Sequence, residues 1–401
     1  MLFAVFFCLI AIPNHLCFKT YCYDLGLYTK AAYDYAHLHV CDSSIAAYNP
    51  ICILADHFDL WLVLLAPLVL LAGSYALIFA QIVMAIVGAV GMYKLILLYN
   101  PTHRTVAYLA MISTLCFFGL WQAIAFDYHS NMCAAMLLPW LLWAVKKRRW
   151  AWMATFTLLI CIAKETEALW LIFVFAALLI DYWKQPATRR WLLGAMAFSI
   201  VYLITITQFV MPSLPGSQNA NGWWRYNYMG NNIKDITLWS ISHPWQLIQN
   251  FFTDFTSVPS SHMGPLKRHC LILLLASGMI LLPLKPNYLL MIIPPLMLKW
   301  LSKDAGFWGV TFHYNVEFGP IITAGAFIVI SRVKKRNQRL ISASVLTLCT
   351  LLCALHTCVA QEPHSRTENV CVWNKQHYSN PNLYCQSVRR IISLIPPQAS
   401  V

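Results

Sequence analysis

The sequence predicts an all-α protein, a polytopic bundle of about ten or eleven transmembrane helices. Three observations carry that prediction. Hydrophobic residues make up 59% of the chain and charged ones only 11%, whereas a soluble domain carries about a quarter charged residues. Apolar stretches that reach or approach the roughly 17 to 25 residues needed to cross a bilayer recur along the chain. The turns between them alternate in character, basic at one end and acidic or histidine-bearing at the other. The polar and apolar alternation of a transmembrane barrel is absent.

The first stretch, Met1 to Leu16, lacks the basic start and small-residue cleavage site of a signal peptide and is expected to be a helix of the bundle. Residues 17–58 read as a long, Tyr-rich outer loop carrying Asp24, Asp34, Asp42, Asp56 and His57. Asp59 to Gly73 is short for a crossing and contains Pro67, which suits an interfacial or re-entrant helix. Ser74 to Leu98 then runs to the YNPTHR turn, and Val106 to Ala125 returns to deliver FDYHSN (Phe126 to Asn131) to the face that holds YDLGLY (Tyr23 to Tyr28). If Asp59 to Gly73 crossed fully, those two acidic segments would lie on opposite sides.

An apolar run leads next to KKRR (Lys146 to Arg149), and a second returns to AKETE (Ala163 to Glu167). Lys and Arg in short loops stay cytoplasmic, so KKRR, KQPATRR and SRVKKRNQR fix the orientation and put Asp24, Asp127, His129, Lys164 and Glu165 outside. Residues 211–268 form a second outer segment around WWRYNY. A hairpin around PLKPN follows, then SKDAGFWGVTFHYNVE outside, two further spans, and an outer tail over 360–401. The expected division is a membrane domain over 1–359 and that tail.

The formal net charge of +13 clusters in short loops beside apolar spans, so it reads as a topology signal and lipid contact rather than nucleic-acid binding. Among the fourteen cysteines, those inside apolar runs read as small hydrophobes. Cys22, Cys41, Cys52, Cys371 and Cys385 fall outside, where disulfides persist, and Cys371 with Cys385 is one expected pair. No phosphate-binding glycine loop, HExxH, GxSxG or CxxCH occurs, which argues against nucleotide hydrolysis at a P-loop.

The outer acids and imidazoles, Asp24, Asp127 and His129 with Asp56 and His57, have spacings that can supply a general base or metal ligands; they also suit helix caps. Asp127 and His129 are the candidate ligands of a divalent cation. Lys164, Glu165 and Glu167 lie at the membrane boundary, where ionisable groups are costly unless paired or facing a cavity, and Lys164 could hold a phosphate. Arg225 among aromatics suits either an interface belt or a site gripping a lipid phosphate or sugar. His313 reads equally as a packing residue or a site residue.

Several segments together resemble a known pattern. YDLGLYTK, HFDLWLVLLAP, FDYHSN, AKETEAL, the Pro-rich hairpin near Pro283 to Pro295, FHYNVEFGP and the terminal IPPQASV are similar, in order and spacing, to the domain-of-unknown-function 2079 family of bacterial and archaeal membrane proteins. That family resembles the GT-C glycosyltransferases, which take sugars from polyprenyl phosphates. The resemblance implies a GT-C-like core, Asp24 as general base and Asp127 as a second catalytic acid. His57, His129, Lys164, Glu165, Arg225 and His313 are the residues expected to bind substrate, the bacterial cytoplasmic membrane is the expected location, and no protein partner is expected. Thr166 stands where the family usually has Asp, and relatives continue past the last residue, so a truncated, inactive product is one alternative. A transporter or lipid-binding protein using a proton relay is the other.

Overall fold

The computed structural model describes residues 1–41, 52–102, 104–217, 222–255, 266–359 and 367–396. Asp42, parts of the expected loops at 211–268 and 360–401, and Pro397 to Val401 lie outside the described residues. Among the described residues the chain is helical throughout, with no strand.

The opening helix α1 (Leu2–Leu16) leads into a single π-helical turn at Cys22–Gly26 and then α2 (Leu27–Ala36). Helix α3 (Trp61–Ala72) has 12 residues, about 18 Å at 1.5 Å per residue, too short for a hydrocarbon core of about 30 Å. It turns directly into α4 (Ser74–Leu97) through Gly73, whose φ of +55° lies in the region that glycine tolerates. Helix α4 is the centre of the bundle, packed against α5 (Arg104–Leu115) and α7 (Ser130–Lys146). Its approach to α7 is close because Gly88 and Gly91 carry no side chain there: a Cβ at Gly88 would lie 2.6 Å from Met136, and one at Gly91 2.6 Å from Trp140.

Helices α5 and α6 (Phe118–Phe126) are bent by 42° at Cys116 and Phe117. After α7 come α8 (Trp150–Cys161), α9 (Glu165–Tyr182) and α10 (Pro186–Thr205), the last continuing through a π turn to Ser213. Two short helices, α11 (Ile233–Ser242) and α12 (Pro244–Phe252), precede α13 (Leu266–Ala276). The expected hairpin around PLKPN is present, but its first arm breaks at Gly278 (φ +117°) before a 3₁₀ turn; the second arm is α14 (Asn287–Trp300). Helices α15 (Phe318–Ser331) and α16 (Arg336–Thr357) complete the bundle.

Among the described residues three helices are individually long and apolar enough to cross a membrane, Ser74–Leu97, Pro186–Ser213 and Arg336–Thr357, and the bent α5–α6 pair makes a fourth if counted as one span. The expected ten or eleven crossings are therefore not met by helix length alone. Four further apolar helices, Leu2–Leu16, Trp61–Ala72, Trp150–Cys161 and Phe318–Ser331, are 10 to 17 residues long.

Side-chain contacts sort the charges to two ends. At one, Lys285 bonds Asp181 at 2.6 Å and Lys146 lies 4.6 Å from the Tyr99 ring. At the other lie Asp24 against His129, Glu165 against His57 and Glu317 against Lys299. The described part of the C-terminal tail docks on α1: Asn14 donates to the Asn369 carbonyl at 2.8 Å and His377 meets the Leu9 carbonyl at 2.7 Å. The expected Cys371–Cys385 disulfide is not formed. Cys371 is buried, the Cys385 thiol lies against the Cys17 carbonyl at 3.7 Å, and the disulfide joins Cys41 to Cys52 instead.

Candidate functional site

The acidic end is assembled from three breaks in helical geometry. Residues 127–129 are extended between α6 and α7, so His129 caps α7. Lys164 is likewise extended and caps α9, placing Glu165 and Glu167 in its first turn, where acids meet the positive end of the helix dipole. The π turn at Cys22–Gly26 presents Asp24. Ser130 donates to the Ala163 carbonyl at 2.7 Å and holds the first two breaks together.

Asp24 keeps 26% of its side chain exposed, and its Oδ1 lies 3.4 Å from His129 Nε2. Asp127 is buried; its Oδ2 accepts from the Tyr21 amide at 2.9 Å, which anchors the chain just before the Asp24 turn. Its buried Oδ1 makes no side-chain hydrogen bond among the described residues. Burial first, and the neighbouring Asp24 charge second, push the Asp127 carboxyl up to about 9, so it carries a proton at neutral pH.

The His129 ring stacks on His313 with centroids 3.5 Å apart. Burial lowers both imidazoles from the usual range, and His313 falls further because His129 and Lys164 stand beside it. Both rings are therefore neutral. His313 in turn lines a cavity of about 100 Å³, bounded also by Lys164, Glu167, Lys299, Tyr314 and Glu317. Asp24 and Asp127 do not line that cavity; they reach it through the His129–His313 stack.

On the cavity's rim Lys164 Nζ lies 3.1 Å from His57 Nε2. An ammonium only donates, so this contact puts the His57 proton on Nδ1, which faces Glu165 Oε1 at 3.6 Å. Glu165 also accepts from the Phe58 amide at 3.1 Å. Lys164, His57 and Glu165 thus form a Lys–His–Glu chain across two segments. Deeper in, Glu317 is held between Lys299 at 2.5 Å and Asn131 at 2.8 Å, and Lys299 also donates to the Tyr314 carbonyl. Arg225 lies 3.5 Å from Asp304 and 4.6 Å over the ring of Phe307, itself a cavity wall.

All eight expected site residues thus fall at one end of the bundle. They form one contiguous chain from Asp24 through the histidine stack to Lys164, with Arg225 at the far rim. Lys299, Asn131 and Glu317 were not singled out in the sequence. A lone lysine in the apolar run IIPPLMLKW was the available signal, because a charge inside a span defaults to a functional role. The divalent-ion pair does not fit. His129 meets Asp127 through the backbone carbonyl at 3.4 Å, its other nitrogen faces Asp24, and among the described residues no three His, Cys, Asp or Glu side chains are placed to share an ion.

A helical bundle with apolar surface on its flanks and its charges confined to two ends is a multi-pass integral membrane protein. The family described as a predicted membrane protein (DUF2079) matches residues 15–401, and the chain belongs to it. No curated protein and no solved structure matches the chain.

Proposed function

We propose that the protein transfers a sugar from a polyprenyl-phosphate donor to an acceptor hydroxyl at the outer face of a bacterial cytoplasmic membrane, with inversion at the anomeric carbon. The observation that carries this reading is a partly exposed carboxylate linked by two stacked imidazoles to a polar cavity. Asp24 sits against His129, and His313 beyond it lines the cavity with Lys164 and the Lys299–Glu317 pair. The outward orientation follows from the basic loops at the opposite end.

In this reading Asp24 removes the proton of the acceptor hydroxyl, and His129 behind it receives or returns that proton. The acceptor oxygen forms its bond to the anomeric carbon as the bond to the phosphate oxygen breaks. The electron pair leaves with the polyprenyl phosphate, whose negative charge Lys164 neutralises, with Arg225 at the rim. The N-termini of α7 and α9 add positive potential in the same place. Asp127, already protonated, positions the Asp24 turn through Tyr21 rather than acting as a base. A transporter would instead string ionisable groups along the bilayer midplane; among the described residues the acids lie at the two ends, which favours transfer.

The test is turnover of purified protein in liposomes supplied with a panel of polyprenyl-phosphate sugars. Asp24→Asn is expected to lose about a hundredfold or more, the usual range for a general base, while Asp127→Asn stays within a few-fold of the parent. Undiminished turnover in Asp24→Asn overturns the assignment.

A further inference from the structure

The helices between α10 and α13 are little enclosed by the rest of the structure. No residue of α11 or α12 is buried. Trp245, Ile248 and Phe252 recur at helical spacing on α12 and form an apolar stripe, with Ile241 exposed on α11 just before the break at His243; the four are between 50% and 73% exposed. The other edge of α12 is anchored on the bundle. Phe251 packs on Trp300 with ring centroids 5.1 Å apart, and Lys267 donates to the carbonyls of Asn250 at 2.7 Å and Thr253 at 2.9 Å. The stripe therefore faces away from the protein by construction.

We infer that α11 and α12 lie in the plane of the membrane interface, with this stripe seated among the phospholipids of the leaflet next to the candidate site. Continuity identifies lipid as the occupant. The helix Pro186–Ser213 that leads into this segment is lipid-facing, with only 11% of its most apolar stretch buried. Between the two lie exposed Trp223 and Trp224, the residue type that collects at the headgroup level. Charge is sparse on both helices, so apolar burial rather than attraction to anionic lipid drives the seating.

The same segment forms a wall of the cavity. Tyr226 lines it and donates to the Leu298 carbonyl, Tyr228 donates to the Leu301 carbonyl at 2.9 Å, and the Arg225 carbonyl accepts from the Lys303 amide at 2.9 Å. Ligand pockets usually measure about 300 to 1,000 Å³, so a cavity of about 100 Å³ admits a phosphate-sized group only. A lipid-linked ligand arriving from the leaflet would have to displace Tyr226, and the leaflet-seated helices flank that strap. This consequence for entry rests on the sugar-transfer reading; the seating itself does not.

The experiment uses the full chain in vesicles of phosphatidylethanolamine and phosphatidylglycerol doped with a phospholipid bearing a diazirine on its acyl chain. After illumination, adducts are mapped by peptide mass spectrometry. Peptides spanning 238–252 should carry adducts within about threefold of those on 191–209, and on the order of tenfold above the basic turn at 146–149. Replacing Ile248 and Phe252 together by Asp should cut the 238–252 signal about tenfold and leave 191–209 unchanged. Adducts on 238–252 at the level of the basic turn overturn the inference, as does protection of that peptide without adducts, which would indicate a protein partner. Loss of sugar transfer with the adduct pattern intact would sink only the proposed activity.

Discussion

Asp127 offers the most quantitative prediction. Its side chain is 4% exposed and its carboxyl is raised from 3.8 to about 9, by burial first and by the Asp24 charge second. The sign of the linkage follows directly. Below pH 3.8 both folded and unfolded chains hold the proton, and the site's full contribution to stability is present. As pH rises towards 9 only the folded chain keeps it, so stability falls by up to about 1.4 kcal/mol per pH unit, or at most about 4 kcal/mol by pH 7. Asn at this position keeps an oxygen for the Tyr21 amide and cannot ionise. Asp127→Asn should therefore flatten the pH dependence of the apparent Tm in detergent between pH 5 and 8.5, and raise it by a few degrees at pH 8. A variant whose curve stays parallel to the parent's would refute the reasoning, because the group would then not be titrating across folding.

Other consequences can be checked in the same melting assay. Lys299→Met strands the buried Glu317 carboxylate and should cost about 3–5 kcal/mol, whereas Lys299→Met with Glu317→Gln together should recover much of that loss. Gly91→Leu drives a side chain into the Trp140 ring and should cost about 1–3 kcal/mol. Gly194→Ala, on the open flank of α10 with nothing within 4 Å, should be neutral or stabilising by up to about 1 kcal/mol. An unaffected Gly91→Leu protein would mean that α4 and α7 do not pack this closely.

The architecture was legible because its signals are strong and local. Scarcity of charge fixed the class, and the basic turns separated the two ends. The segments FDYHSN, AKETE and FHYNVE stood out as polar interruptions of apolar runs, and those interruptions are where the helices break and the site assembles. The pairings across the site were not legible. That Lys164 reaches His57, and that Glu317 lies between Lys299 and Asn131, depends on which helix ends adjoin, and spacing along the chain does not encode this. The Cys41–Cys52 disulfide was missed for the same reason: several cysteines share one side, and only the fold selects the pair.

The account depends on the charged end that holds Asp24 and the basic turn at Lys146 to Arg149 lying on opposite sides of the membrane. Cys22, an exposed free thiol two residues before Asp24, reports on this directly. A membrane-impermeant maleimide applied to intact spheroplasts, with peptide mapping, should modify Cys22 at once and should modify Lys147→Cys only after the membrane is opened. Immediate modification of Lys147→Cys with Cys22 protected until permeabilisation would contradict the account.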